Sequence, residues 1–357
     1  MKNNVVKKMV AIATATLMGA ALLVGCGSSS SDSSSSDSEA SSDEASSETE
    51  EADDSSASGE KYLIGFAMST YDDQWLSYLI DCAETYAEEV ADTAEFTFTD
   101  AENDIATQLS QVEQMITNGC NAIIVNPVET DSSGPIVEAC AAAGVPVIGV
   151  NRPLAEGDDG SVADCYVGGD SKQSGVLCMQ YLAELAGGKG RVVIIGGEAT
   201  QEASILRMEG MNEVVDQYPD MEVVYEQNAE NWERAKAMAV TEDLIASGIE
   251  FDIVAGCCDE IACGAILALQ DSGYDVSENG IMVGGIDGSP IGLGNMRDGT
   301  ELVDVFQDAQ GQAVGAMKAA ISLCKGEEVE QQQAIDYELI TMDNIEEYEA
   351  RWESITG

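Results

Sequence analysis

Two short runs, Ala122-Ile123-Ile124-Val125 and Val145-Pro146-Val147-Ile148-Gly149-Val150, are wholly apolar, and each stops at an asparagine, Asn126 and Asn151. A strand with one wet face alternates polar and apolar residues. A run without alternation is buried on both faces, as in a parallel sheet covered by helices. Between the two runs lies a helical stretch near 135–143, so together they read as one β-α-β unit.

Working outward, the same grammar repeats. Residues 62–68 form a buried strand and 74–90 a helix. A short strand follows at 96–98, then a helix over 104–118 with Ile105, Leu109, Val112 and Ile116 on one face. The series restarts with strands at 191–195, 221–226, 251–255 and 281–286, alternating with helices at 202–218, 232–247 and 260–272. Two α/β units of similar order predict two Rossmann-like lobes, each a parallel sheet flanked by helices. The length from Lys61 to Gly357 agrees, because a chain that long exceeds one comfortable core.

Ligands of such sheets bind beyond the carboxyl ends of the strands. Those ends here carry Tyr71-Asp72-Asp73-Gln74-Trp75, Asn126-Pro127, Asn151-Arg152-Pro153, Cys258-Asp259-Glu260 and Asp287-Gly288-Ser289-Pro290. Facing lobes would line a cleft with Asp, Asn, Arg and Trp.

Composition removes several chemistries. The chain has no histidine, which excludes Ser-His-Asp and Cys-His catalysis and HExxH metal sites. No Gly-x-Gly-x-x-Gly follows the first strand of either unit and no Walker sequence occurs, so no nucleotide cradle is expected. Removing the 11 acids of residues 27–60 and the 3 leader lysines from totals of 66 and 15 leaves 55 acids against 12 bases. So acidic a chain repels nucleic acid. Nine cysteines follow Cys26 with no CxxC spacing, which suits neither a zinc ribbon nor a complete disulfide framework. The expectation is a protein that is not an enzyme, with no cofactor and no metal.

The N-terminus states an address. Lys2, Lys7 and Lys8 precede an uncharged run over 9–25, which has the charge order of a secretory signal. It ends in Leu23-Val24-Gly25-Cys26, similar to the lipobox of bacterial lipoproteins. That resemblance implies cleavage before Cys26, acylation of Cys26 and a cell-membrane, lipid-anchored product on the extracytoplasmic face. Residues 27–60 contain only Gly, Ser, Thr, Ala, Asp and Glu, a composition that cannot form a core and serves as a tether.

The folded part resembles the sugar-binding lipoproteins and periplasmic binding proteins of ABC transporters, of the ribose, galactose and inositol type. The resemblance rests on residues 71–75, 124–127, 146–152, 166–171, 258–265, 283–288 and 305–309, in order behind the lipobox. It implies the type I periplasmic binding protein fold, with a three-strand hinge near Gly168-Gly169, Gln307-Asp308 and Ile340. The implied organisation is a signal peptide at 1–25, an acylated tether at 26–60, an N-terminal lobe of 61–167 and 308–339, and a C-terminal lobe of 168–307 and 340–357.

The family's sugar contacts match Asp73, Asn151, Arg207, Trp232, Asp287 and Gln307, with Trp75 as a stacking aromatic. Cys258 stands where the family has asparagine, and Tyr71, Asn126 and Arg152 are second choices. Carboxylates accept from paired hydroxyls, arginine and amides donate, and indole faces cover C–H surfaces. The implied function is capture of a monosaccharide or polyol by a monomer and its delivery to a permease. The alternative is a sensor presenting bound sugar to a chemoreceptor or kinase. Where galactose-type members carry a calcium loop, this chain has Gly187-Gly188-Lys189-Gly190, so no calcium is expected there.

Overall fold

The computed structural model describes residues 61–356. The expected signal peptide at 1–25, Cys26 and the tether at 26–60 lie outside the described residues. The chain runs β1 (Tyr62–Met68), α1 (Gln74–Glu89), β2 (Ala94–Asp100), α2 (Ile105–Thr117), β3 (Ala122–Val125), α3 (Gly134–Ala143), β4 (Val147–Val150) and β5 (Cys165–Gly168). A second series follows: α4 (Ser171–Leu185), β6 (Lys189–Gly196), α5 (Glu202–Val215), β7 (Asp220–Asn228), α6 (Arg234–Ser247), β8 (Ile253–Gly256), α7 (Asp259–Asp271), β9 (Met282–Gly284), α8 (Pro290–Arg297) and β10 (Asp304–Phe306). The chain ends with α9 (Ala309–Cys324), β11 (Gln332–Ala334), β12 (Glu338–Ile340) and α10 (Ile345–Thr356).

The first sheet has the order β11-β5-β4-β3-β1-β2, with every pair parallel. The second has the order β7-β6-β8-β9, also parallel, and single bridges from Gly284 to Val303 and Asp287 to Phe306 set β10 beside β9. Each lobe therefore reverses strand direction of travel between its first and third strands, β1/β3 and β6/β8. Such switch points open a crevice at the strand ends.

Helices start where aspartates can take up orphan amides. Asp73, Asp104, Asp170 and Asp308 cap α1, α2, α4 and α9, with Asp73 Oδ1 accepting from the Leu76 amide at 2.9 Å. Apolar faces cover both sides of each sheet. On the first sheet, α1 and α9 pack Leu76, Leu79 and Met317 against Phe66 and Ile148, while α2 and α3 cover Ile123 and Val125 with Val112 and Val137. On the second, Met179, Leu182 and Met211 lie over Ile194, and Ile261 and Leu269 pack with Val254 on the opposite face.

The chain passes between sheets three times: between β5 and α4, between β10 and α9, and between β11 and β12. The last passage occupies 335–337, because Glu338 to Ile340 already pair with β10. It thus precedes Ile340, the place expected from sequence. Tyr337 sits in this passage, its ring directly against Gly169 of the first one.

Candidate functional site

A cavity of about 360 Å³ lies at the strand ends of both sheets. All eight first-choice residues line it: Asp73, Trp75, Asn151, Arg207, Trp232, Cys258, Asp287 and Gln307. Of the second choices, Arg152 lines it while Tyr71 and Asn126 do not.

Arg207 on α5 organises the floor. Its guanidinium is buried and donates from Nη1 to Cys257 O at 2.6 Å, and from Nη2 to Gln307 Oε1 at 2.6 Å and to Tyr337 Oη at 3.1 Å. Asp287 Oδ1 lies 3.5 Å from Nη1. Burial works against the Arg207 charge, but Tyr337 and Asp287 outweigh it and the pKa rises. Burial pushes the Asp287 carboxyl well above the usual carboxylate range, Arg207 draws it back, and Asp304 and Asp73 push it further up. Arg207 is therefore an interior charge held by four partners, and no surface acid accounts for it.

Asn151 and Asp287 share an unusual backbone. Their φ angles are 65° and 134°, in the region that side-chain-bearing residues rarely adopt. Strain of this kind persists only where surrounding structure enforces it, and it concentrates at functional positions. The Asn151 amide is bonded to Val167 O at 2.9 Å, and its side chain is held by Asn126 at 3.2 Å and Gln312 at 3.3 Å. Asn126 is fully buried and thus acts through Asn151. Arg152 spends its guanidinium on the loop carbonyls Pro127 O at 2.9 Å and Val128 O at 3.3 Å. Both shape the cleft loops.

Trp232 departs from the expected helix over 232–247. It closes a single 3-10 turn before α6, with φ of 57° at Asn231 and 59° at Trp232. Two bonds enforce the turn: the Asn231 amide to Glu198 at 3.1 Å, and Trp232 Nε1 to Gln201 Oε1 at 2.6 Å. One indole face rests on Gly197, where a Cβ would overlap the ring, and the Arg207 guanidinium lies 5.7 Å from the ring centroid. Trp75, buried at the start of α1, also lines the cavity. Asp73 both caps α1 and lines the cavity.

Sequence reasoning did not single out Arg234 and Glu260 as site residues. They meet at the cavity edge in a two-pronged pair, at 2.8 and 2.7 Å. Gln201, which aims Trp232, and Tyr337, which braces Arg207, were also missed. No local pattern marks them, since their roles exist only across the fold. Cys258 caps α7 without a side-chain hydrogen bond, and burial pushes its thiol well up, as it pushes Cys257 to about 12. Raised thiols of this kind hold little thiolate at neutral pH.

Among the described residues, one acidic group has the spacing to hold an ion: Asp259, Glu301 and Asp304, all buried. It lies behind the turn carrying Asp287. No helix of the described residues is long and apolar enough to cross a membrane.

Residues 64–328 match the periplasmic binding protein domain. A solute-binding protein of an ABC transporter from Bacillus halodurans, solved with bound myo-inositol, is 40% identical, with a TM-score of 0.76 over 82% of this chain and 98% of that one. A protein named for rhizopine binding in Rhizobium meliloti is 36% identical over 83% of this chain and 95% of its own. A xylitol-binding protein of Mycolicibacterium smegmatis is 32% identical over 83% of this chain and 81% of its own. With the fold, the domain match and these relatives in agreement, the chain belongs to the periplasmic binding protein family.

Proposed function

We propose that the cavity captures a single-ring polyol or monosaccharide, myo-inositol foremost, and that the protein hands it to an ABC transporter permease. The observation that carries this reading is a set of polar groups with no protein partner to spare. Trp75 Nε1 and Arg207 Nε are buried N–H donors of lining residues without an acceptor. Beside them stand Asp73, Asn151, Asp287 and Gln307, able to accept from or donate to a ring of hydroxyls, and two indoles able to cover C–H faces. A volume of about 360 Å³ is at the lower end of small-molecule sites, which suits one ring. Two relatives named or solved with polyols, xylitol and myo-inositol, support the class.

In this reading the ligand contacts are Asp73, Trp75, Asn151, Arg207, Trp232, Cys258, Asp287 and Gln307. The protein works as a monomer, anchored through lipid on Cys26 at the extracytoplasmic face. Cysteine is a weak hydrogen-bonding group, so Cys258 leaves one ligand hydroxyl to water or selects a ligand lacking it. The test is a thermal-shift panel on the full chain with myo-inositol, xylitol, ribose, xylose, glucose and galactose. A ligand binding only the native state adds about 2.7 kcal/mol of stability at a hundredfold excess over Kd. A clear rise with one or two of the six is expected, and no rise with any removes the proposal.

A further inference from the structure

The acid cluster behind the cavity is built in a way that the capture function does not require. Asp259 opens α7, Glu301 and Asp304 flank the start of β10, and all three side chains are at most 1% exposed. Each acid commits one oxygen to the protein. Asp259 Oδ2 accepts from the Ser289 amide at 2.7 Å, Asp304 Oδ1 from the Gly288 and Val305 amides at 3.0 and 2.7 Å, and Glu301 Oε2 from Asn295 Nδ2 at 3.2 Å. Each acid also leaves the other oxygen without an N–H or O–H donor: Asp259 Oδ1, Asp304 Oδ2 and Glu301 Oε1, with the Asp304 and Asp259 carboxyls facing each other at hydrogen-bonding range. A fourth, independent group points the same way. The Ser289 hydroxyl is 3% exposed, faces the Asp259 carboxyl and has no other partner.

The packing keeps space for these oxygens. A Cβ at Gly285 would overlap Glu301 Oε1 and approach Asp259 Oδ1 to 2.8 Å, and a Cβ at Gly292 would overlap Asp304 Oδ2. One oxygen from each acid lies within 4.8 Å of the others. Oxygens bound about 2.1–2.5 Å from a common hard cation are separated by that much or less.

Charge balance argues for a cation too. The cluster and neighbouring Asp287 bring four carboxylates, and Arg207 is the cation that faces them. The N-termini of α7 and α8 add roughly half a charge each. Asp73 adds to the negative side of Asp287, so the balance stays negative, and one divalent ion would offset most of it.

We propose that Asp259, Glu301, Asp304 and Ser289 bind one hard divalent cation of the calcium–magnesium class. The ion ties β10 and α7 to the 287–289 turn and so fixes Asp287 at the cavity. All-oxygen donors select such ions over zinc or copper. The site is separate from the Gly187–Gly190 connection between α4 and β6.

The test is metal analysis of the full chain purified without chelator, with melting curves in EDTA and after return of Ca²⁺, Mg²⁺ or Mn²⁺. About one equivalent per chain is expected, with a melting temperature that falls in EDTA and recovers with at least one of the three ions. Glu301→Gln and Asp304→Asn should each lose the ion and the response. If both substitutions destabilise the fold, the parent chain still decides. A parent with no stoichiometric metal and a melting curve indifferent to EDTA and all three ions overturns the site and leaves the cluster held by shared protons. Metal that survives both substitutions is bound elsewhere, for example on the acidic 27–60 tract, and overturns it equally.

Discussion

Gly197→Ala is the sharpest probe of the cavity wall. The residue is buried at the end of β6, and the added methyl would overlap the Trp232 indole, which has the far end of its ring tied to Gln201. Gly197 does not have a positive φ, so alanine suits its backbone. The indole must therefore shift while the fold stays intact. Replacing glycine also restricts the unfolded chain, which returns about 0.4–1 kcal/mol and offsets part of the steric cost. Overpacking costs about 1–3 kcal/mol, so unliganded stability should fall by about 1–2 kcal/mol after that return, and an aromatic face contact with ligand is worth about 0.5–1.5 kcal/mol. Kd should rise about two- to twelvefold. Calorimetric titration of the parent, Gly197→Ala, Trp232→Ala and the double variant measures this. If the methyl acts through Trp232, it adds almost nothing once the indole is gone. An unchanged Kd in Gly197→Ala, or the same loss in the Trp232→Ala background, refutes the placement of Trp232 as the ligand-facing wall.

Three further outcomes follow from the same geometry. Arg207→Met strips four buried groups of their partner and leaves Asp287 unpaired, a change that costs about 3–5 kcal/mol. The melting temperature should drop by about 10 °C with loss of the ligand response, and a variant melting within a degree or two of the parent contradicts the account. Of the nine described cysteines, Cys324 alone is not buried, and burial raises its thiol to about 11 along with those of Cys82 and Cys165. Native alkylation followed by peptide mass spectrometry should find all nine slow to react at pH 7, and fast labelling of Cys257 or Cys258 would revive a redox role. Cys26→Ala should abolish palmitate incorporation and release the protein from membranes, and persistent membrane association would remove the lipid anchor from the proposal.

The parallel sheets were legible because strands such as Ala122 to Val125 and Val147 to Val150 are buried on both faces and so lack alternation. The cavity was legible for a related reason: a strand end needs no asparagine, arginine or tryptophan to turn into a helix, so those residues stand out. The helix over α4 escaped notice because Ser174, Gly175 and Gln180 interrupt its apolar face, although Met179 and Leu182 sit fully buried on the second sheet. Trp232 was read as helical because its neighbours from Arg234 onward are. The left-handed turn that displaces it is imposed by Glu198 and Gln201, more than thirty residues away. The acid cluster was hidden for the same cause. Asp259, Glu301 and Asp304 are unremarkable among 66 acids until the fold brings them together.

Titration calorimetry of myo-inositol into the full chain tests most directly whether this cavity binds a ring of hydroxyls. Saturable binding at one site per chain is predicted, lost in Asp287→Ala while the variant still melts cooperatively. Absence of saturable heat with myo-inositol, xylitol and ribose alike, or full affinity in Asp287→Ala, would contradict it.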